Sequence, residues 1–138
     1  MRLFIAIPVP PDIRRAAAAA AEQLRAFGAE GRFVPPENYH VTLRFIGETD
    51  DLGGLAEAMS EAVRDIRPFL LRLEDYDSFA AKGGSTGFLR VRCRDEELSR
   101  LTEALESALW EQGFSGNRGH FVPHITLGRS IRGDEGFS

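Results

Sequence analysis

The sequence predicts an α+β fold: mixed or mainly antiparallel sheet with helices on its outer side. Three observations predict it. Apolar runs of strand length alternate with segments whose apolar residues recur at helical spacing. Short strand-like runs also follow one another directly, the mark of hairpins rather than of a wholly parallel sheet. A strand–helix–strand pattern occurs twice. The 138 residues suffice for a single domain of two lobes.

The first element, RLFIAIP at residues 2–8, reads as a buried strand. Its apolar run is short and lacks a small-residue cleavage site, so it does not read as a secretion signal. PPD then opens a helix with Asp12 as its N-cap, and Ile13, Ala17, Ala20, Leu24 and Phe27 form its apolar stripe. Gly28 ends it. Residues 38–47, NYHVTLRFIG, form the next strand. A second helix is expected over about 51–66, striped by Leu52, Leu55, Met59, Val63 and Ile66, with Pro68 as its stop. FLLRLEDYDSF reads as a strand, AAKGGSTG as a turn-rich loop and FLRVRC as another strand. A third helix over about 95–112 carries Leu98, Leu101, Leu105, Ala108 and Leu109 on one face, and Gly113 ends it. Residues 120–128 form the last clear strand, and the tail SIRGDEGFS shows no periodicity.

The repeat adds a symmetry expectation. Phe4 precedes His40 by 36 residues, Phe88 precedes His124 by the same 36, and FVP occurs at 33–35 and again at 121–123. A duplicated strand–helix–strand unit implies two pseudo-symmetric lobes, with the two histidine strands facing each other across a central cleft.

Composition narrows the class. Hydrophobic residues make up 43% and charged residues 28%, as in an ordinary soluble protein, and no apolar run reaches membrane length. The net charge of −4 does not advertise nucleic-acid binding by the surface as a whole. Sixteen of the seventeen basic residues are arginine, Lys82 being the exception; the Ala and Gly content attributes this bias to genome composition. Cys93 is the single cysteine, which excludes an internal disulfide and any multi-cysteine zinc site and fits a reducing cytosol.

Chemistry concentrates on two strands. Alternation puts His40, Thr42 and Arg44 on one face and Tyr39, Val41, Leu43 and Phe45 on the other, where they can pack under helices. His124 and Thr126 repeat the split, with Ile125 and Leu127 opposite. The third histidine, His120, repeats nothing and reads as a surface or loop residue. Imidazole titrates near neutrality, so one histidine can act as base while the other acts as acid. Threonine hydroxyls can donate to anionic oxygens. Two acid–base groups flanking two donors suit in-line displacement at phosphorus. A zinc site would need a third or fourth ligand, and no further histidine or carboxylate is in phase. The nucleophile elbow G-x-S-x-G, the Walker A loop and G-x-G-x-x-G are absent.

With its two H-x-T-x motifs the sequence resembles the 2H phosphoesterase superfamily, and within it the RNA 2′,3′-cyclic phosphodiesterases once called 2′-5′ RNA ligases. RLFIAIPVP, PPENYHVTLRFIGE and NRGHFVPHITLGR carry the resemblance, which runs through about residues 2–130. It implies one bilobal domain over residues 1–138, two lobes of antiparallel sheet around a cleft with helices outside. It implies hydrolysis of RNA 2′,3′-cyclic phosphate ends to a 2′-phosphate and a free 3′-OH, with His40 as general acid, His124 as general base, Thr42 and Thr126 on phosphate oxygens, and neither metal nor other cofactor required. Ligation is implied as a lesser activity, and a non-catalytic RNA-end binding module is the alternative of another class. Family members usually continue with further strands after the second motif, and they often carry Trp where Phe33 and Phe88 stand. Arg44 and Arg90 are candidates to meet substrate, Arg92 to meet water, and Phe33 to stack on a base. Arg129 matches a basic family position but is out of phase with His124 unless Gly128 bends the strand. The expected partner is RNA, and the expected state is a cytoplasmic monomer with no protein or membrane partner.

Overall fold

In the computed structural model, residues 2–116 and 121–138 are described; the expectation for His120 lies outside them. They form six strands and three helices: β1 (Arg2–Pro8), α1 (Pro11–Phe27), β2 (Glu30–Phe33), β3 (His40–Glu48), α2 (Leu52–Val63), β4 (Leu71–Ala81), β5 (Gly84–Cys93), α3 (Glu97–Glu111) and β6 (His124–Arg132). A single 3-10 turn, Pro36–Asn38, precedes β3. The strands hydrogen-bond in the order β1-β3-β6-β5-β4, with β2 also paired to β6. The α+β class is the one expected.

The chain divides into two compact units: Met1–Ala6, Thr42–Leu70 and Cys93–Val122 make the first, and Ile7–Val41, Leu71–Arg92 and Pro123–Ser138 the second. The sequence repeats do not coincide with these units. The helix of the first repeat, α1, belongs to the second unit, and that of the second repeat, α3, belongs to the first.

In the first unit, Ile5 of β1 packs with Leu55, Ala58 and Ala62 of α2 and Leu105, Ala108 and Leu109 of α3, with Leu3, Leu43, Ile46, Ala104 and Phe114 around them. α3 buries the stripe its sequence predicts. α2 does not. It begins one residue after Asp51, whose side chain accepts the Gly54 N–H at 2.9 Å as an N-cap. It buries Gly54, Leu55, Ala58 and Ala62, while Leu52, Met59 and Val63 are exposed. Small side chains, with Leu55, make the buried face and let the two helices approach; Leu52, Met59 and Val63 of the expected stripe lie outside.

In the second unit, α1 packs on β4 and β6. Its N-cap position is Pro10, so Asp12 sits in the first turn, where its charge suits the helix dipole, rather than at the cap. Gly28 ends the helix at φ 115°, and the N–H groups of Gly28 and Ala29 close on the Arg25 and Leu24 carbonyls. Val41, Leu24, Ile125, Leu127 and Ile131 are fully enclosed, each burial contributing about 1.5–3 kcal/mol relative to exposure. The expected loop AAKGGSTG is mostly strand, turning only at Lys82–Gly83. Its glycines serve close approach instead: a Cβ on Gly84 would meet the Ile131 carbonyl at 2.6 Å, and one on Gly87 would strike the Tyr76 ring. β2 was not expected, and β6 starts later than expected and extends through Arg132.

Candidate active site

β3 and β6 run antiparallel with Val41 opposite Ile125, both at zero exposure. Opposed residues of an antiparallel pair point to the same side. Val41 and Ile125 therefore anchor the core side, and alternation turns their neighbours His40, His124 and Thr126 to the other; these residues all belong to the second unit. Thr42 follows two residues after His40, on the same face of its own strand. All four side chains are half-buried. The histidine strands are thus adjacent in the hydrogen-bonding order.

The approach to His40 is set by PPEN. The 3-10 turn closes through Asn38 N–H to the Pro35 carbonyl at 2.9 Å and Tyr39 N–H to Pro36 at 3.1 Å. Its proline-fixed backbone presents the Asn38 carbonyl to the ring, and His40 Nδ1 donates to it at 2.8 Å. A carbonyl only accepts, so Nδ1 keeps its proton and Nε2 is the nitrogen that gains or loses one.

His124 is framed by β5. Arg90 stands directly opposite it, and Phe88 directly opposite Thr126. Phe88 is buried, with its ring 5.1 Å from the His124 ring and 5.8 Å from Phe79. Arg90 lies 5.7 Å over the Phe88 ring and is held by Asp75 at 3.2 Å and by Asp77, both on β4. The Asp77 carboxyl is held below the usual carboxylate range, first by the Ser78 backbone N–H and then by Arg90. Arg90 thus reaches the histidine face with its charge already paired. Arg92, expected to meet water, is exposed and also bonds Glu74 at 2.8 Å.

Two expected substrate contacts are placed elsewhere. Arg44 is 8% exposed: its Nε meets Glu106 of α3 at 2.5 Å, Nη1 the Phe45 carbonyl at 2.8 Å, and Nη2 the Ser115 carbonyl. Its fork is committed to holding α3, not presented to a phosphate. Strand alternation also lapses around it, for Leu43 and Ile46 both reach the core while Phe45 is 72% exposed. Phe33 is opposite Gly128, on the face away from His124, and carries the Arg25 guanidinium 4.3 Å over its ring. It covers α1 rather than offering a face to a base.

Arg129 does reach the histidine face, by a bulge. Phe88 pairs with Thr126 but Gly87 pairs with Gly128, so β6 spends two residues for one of β5. Gly128 thereby turns to the core side, where a Cβ would meet Ile131 at 2.8 Å, and exposed Arg129 turns to the side of Thr126. Sequence reasoning missed Asn38, whose role is its carbonyl and so leaves no side-chain signal, and the Asp75–Asp77 pair, whose alternate spacing on a strand was the available clue.

Comparison with known proteins finds relatives that match most of the chain. The profile of the 2′-5′ RNA ligase superfamily matches residues 9–135. The RNA 2′,3′-cyclic phosphodiesterase of Thermotoga maritima is 34% identical over 131 residues, covering 94% of this chain and 70% of the relative. A crystal structure from Thermus thermophilus superposes with a TM-score of 0.72 at 30% identity, covering 97% of this chain and 75% of that one. E. coli LigT, solved in complex with 3′-AMP, gives a TM-score of 0.68 at 30% identity, with 94% and 72% covered.

Proposed function

Because the chain belongs to the 2′-5′ RNA ligase superfamily, we propose that it hydrolyses RNA 2′,3′-cyclic phosphate ends to a 2′-phosphate and a 3′-OH, by acid–base catalysis from two histidines. The observation that carries this reading is the single face of β3 and β6 bearing His40, His124 and Thr126, backed by the sealed pair Val41 and Ile125. The relatives named as RNA 2′,3′-cyclic phosphodiesterases support the substrate class.

In the proposed reaction, water attacks phosphorus in line with the bond to the 3′ oxygen. His124 takes the proton from water as the new P–O bond forms. His40, protonated at Nε2 with Nδ1 held on Asn38, gives its proton to the departing 3′ oxygen as that bond breaks. Thr42 and Thr126 donate to the non-bridging oxygens, hydrogen bonds worth roughly 1.5–3 kcal/mol each to a charged acceptor. Arg129 adds charge on the same face. Arg90 positions Phe88 and His124, its own charge being met by Asp75 and Asp77. We read the protein as a cytoplasmic enzyme, in keeping with its single cysteine, and as a monomer, since one chain supplies both histidines and both threonines.

The test is incubation of a short oligonucleotide ending in a 2′,3′-cyclic phosphate, with EDTA present, followed by product analysis. A 2′-phosphate product is expected. A 3′-phosphate product, or tight binding without turnover, would overturn the reading.

A further inference from the structure

β6 carries a second irregularity beyond the one that turns Arg129. Arg32 pairs with Arg129 but Glu30 with Arg132, and on the other side Gly87 pairs with Gly128 but Ser85 with Ile131. On both neighbours β6 spends three residues for two. The residue inside this bulge is Ser130 at φ 54°, the one non-glycine with positive φ among the described residues. Bulges re-aim side chains, and left-handed residues other than glycine persist where the surroundings hold them there.

The bulge sets two arginines directly opposite each other. Arg32 and Arg129 are both exposed, and register puts both on the side of Thr126 and His124. Like charges opposed across a ladder destabilise it. Neither has a carboxylate partner among the described residues; Arg32 only donates to Ser130 Oγ at 3.4 Å. The flank is basic as well. Arg132 donates to the Gly83 carbonyl at 3.1 Å in the turn that carries Lys82, and Glu30, opposite Arg132, is the one carboxylate on these paired stretches. Some exposed arginines elsewhere in this acidic protein take acids, Arg25 with Glu22, Arg64 with Glu61 and Arg92 with Glu74, and among the described residues none of those is set opposite a second arginine in the pairing of β6 with β2 or β5. An opposed, unneutralised guanidinium pair on the side of the histidines suits an anion that arrives with the substrate.

We propose that Arg32 and Arg129 clamp an internal phosphate of the RNA strand whose terminal cyclic phosphate is held at His40 and His124. This rests on the function proposed above and adds a length requirement: the enzyme reads a strand, not only its last nucleotide. Two guanidinium forks meeting one phosphate is the geometry arginine serves best.

The test compares wild type and Arg32→Gln on 2′,3′-cyclic AMP and on a tetranucleotide ending in a 2′,3′-cyclic phosphate, across a KCl series. Wild type is expected to prefer the tetranucleotide. Arg32→Gln should lower kcat/KM for the tetranucleotide by roughly 10- to 100-fold, mainly through KM, as loss of a charged hydrogen bond predicts. The slope of log kcat/KM against log salt should fall by about 0.7, one phosphate contact on a single strand. Turnover of cyclic AMP should stay within about twofold and the melting temperature should not drop, since a like-charge pair has been relieved. Arg32→Lys should keep the salt slope. An equal loss on both substrates, or no loss on the tetranucleotide, overturns the clamp. If wild type cleaves cyclic AMP without preferring the tetranucleotide, the clamp fails alone. If wild type cleaves neither, the underlying function fails.

Discussion

The Phe88 ring stands 5.1 Å from the His124 ring with their planes 59° apart, while Phe88 is itself directly opposite Thr126. One buried aromatic therefore touches the imidazole and faces the hydroxyl of the second motif. It is buried, with Phe79 and Arg90 as further neighbours, and so offers little open ring face to a base.

Phe88 is accordingly expected to position His124 rather than bind substrate. Phe88→Leu should lower kcat on the order of 10-fold with little change in KM, as a loosened catalytic group does. A rise in KM at constant kcat, measured on cyclic AMP, would assign the ring to substrate instead.

Each histidine should be indispensable in its own way. His40→Ala and His124→Ala should each lose about 10²–10⁴ in rate. The wild-type profile of kcat/KM against pH should be a bell, falling in acid as the base protonates and in alkali as the acid deprotonates. His124→Ala should lose the acid limb and His40→Ala the alkaline limb. Near-wild-type turnover by either variant contradicts the assignment.

Arg44 should matter to stability, not to binding. Arg44→Ala removes the bonds that the guanidinium makes to Glu106 and to the Phe45 and Ser115 carbonyls, at a cost of about 1–3 kcal/mol. Denaturant unfolding should show the loss, while KM for cyclic AMP at low temperature stays at its wild-type value. A large rise in KM with unchanged unfolding would restore Arg44 to the substrate.

The Asp77 carboxyl, held low by the Ser78 N–H and by Arg90, gives a sign-defined pH effect. A carboxyl whose folded-state value is depressed contributes stability that is present above its unfolded value and lost as pH falls through the folded one. The melting temperature of wild type should therefore exceed that of Asp77→Asn by a constant margin between about pH 5 and 8, and the margin should close below about pH 4. A margin unchanged in acid would mean that the carboxylate charge plays no part.

Much of this was legible in the sequence because period and spacing record it. The Leu98–Leu109 stripe of α3 and the split between Val41 and His40, or Ile125 and His124, follow from alternation that the structure keeps. What was not legible arises where a third body intervenes. α2 turned its small residues inward because α3 lies against it. Arg44 left its expected role because Glu106 and Ser115, far along the chain, claim it. Arg129 gained its place through a bulge that only the pairing of β6 with β5 reveals. Phe33 read as a stacking residue, but Arg25 of α1 covers it.

The way the two units alternate along the chain has a consequence for how the protein is made. Each unit draws on three separated segments, and the second needs Pro123–Ser138. When the chain has emerged from the ribosome only through Glu111, His40 and all of α1, α2 and α3 are outside, yet the strand that Val41 must pair with has not emerged. Folding must wait for long-range closure, which slows it and leaves apolar surface open in the meantime. A nascent chain arrested before Pro123 should be a client for holding chaperones, and the catalyst should appear only once β6 has emerged.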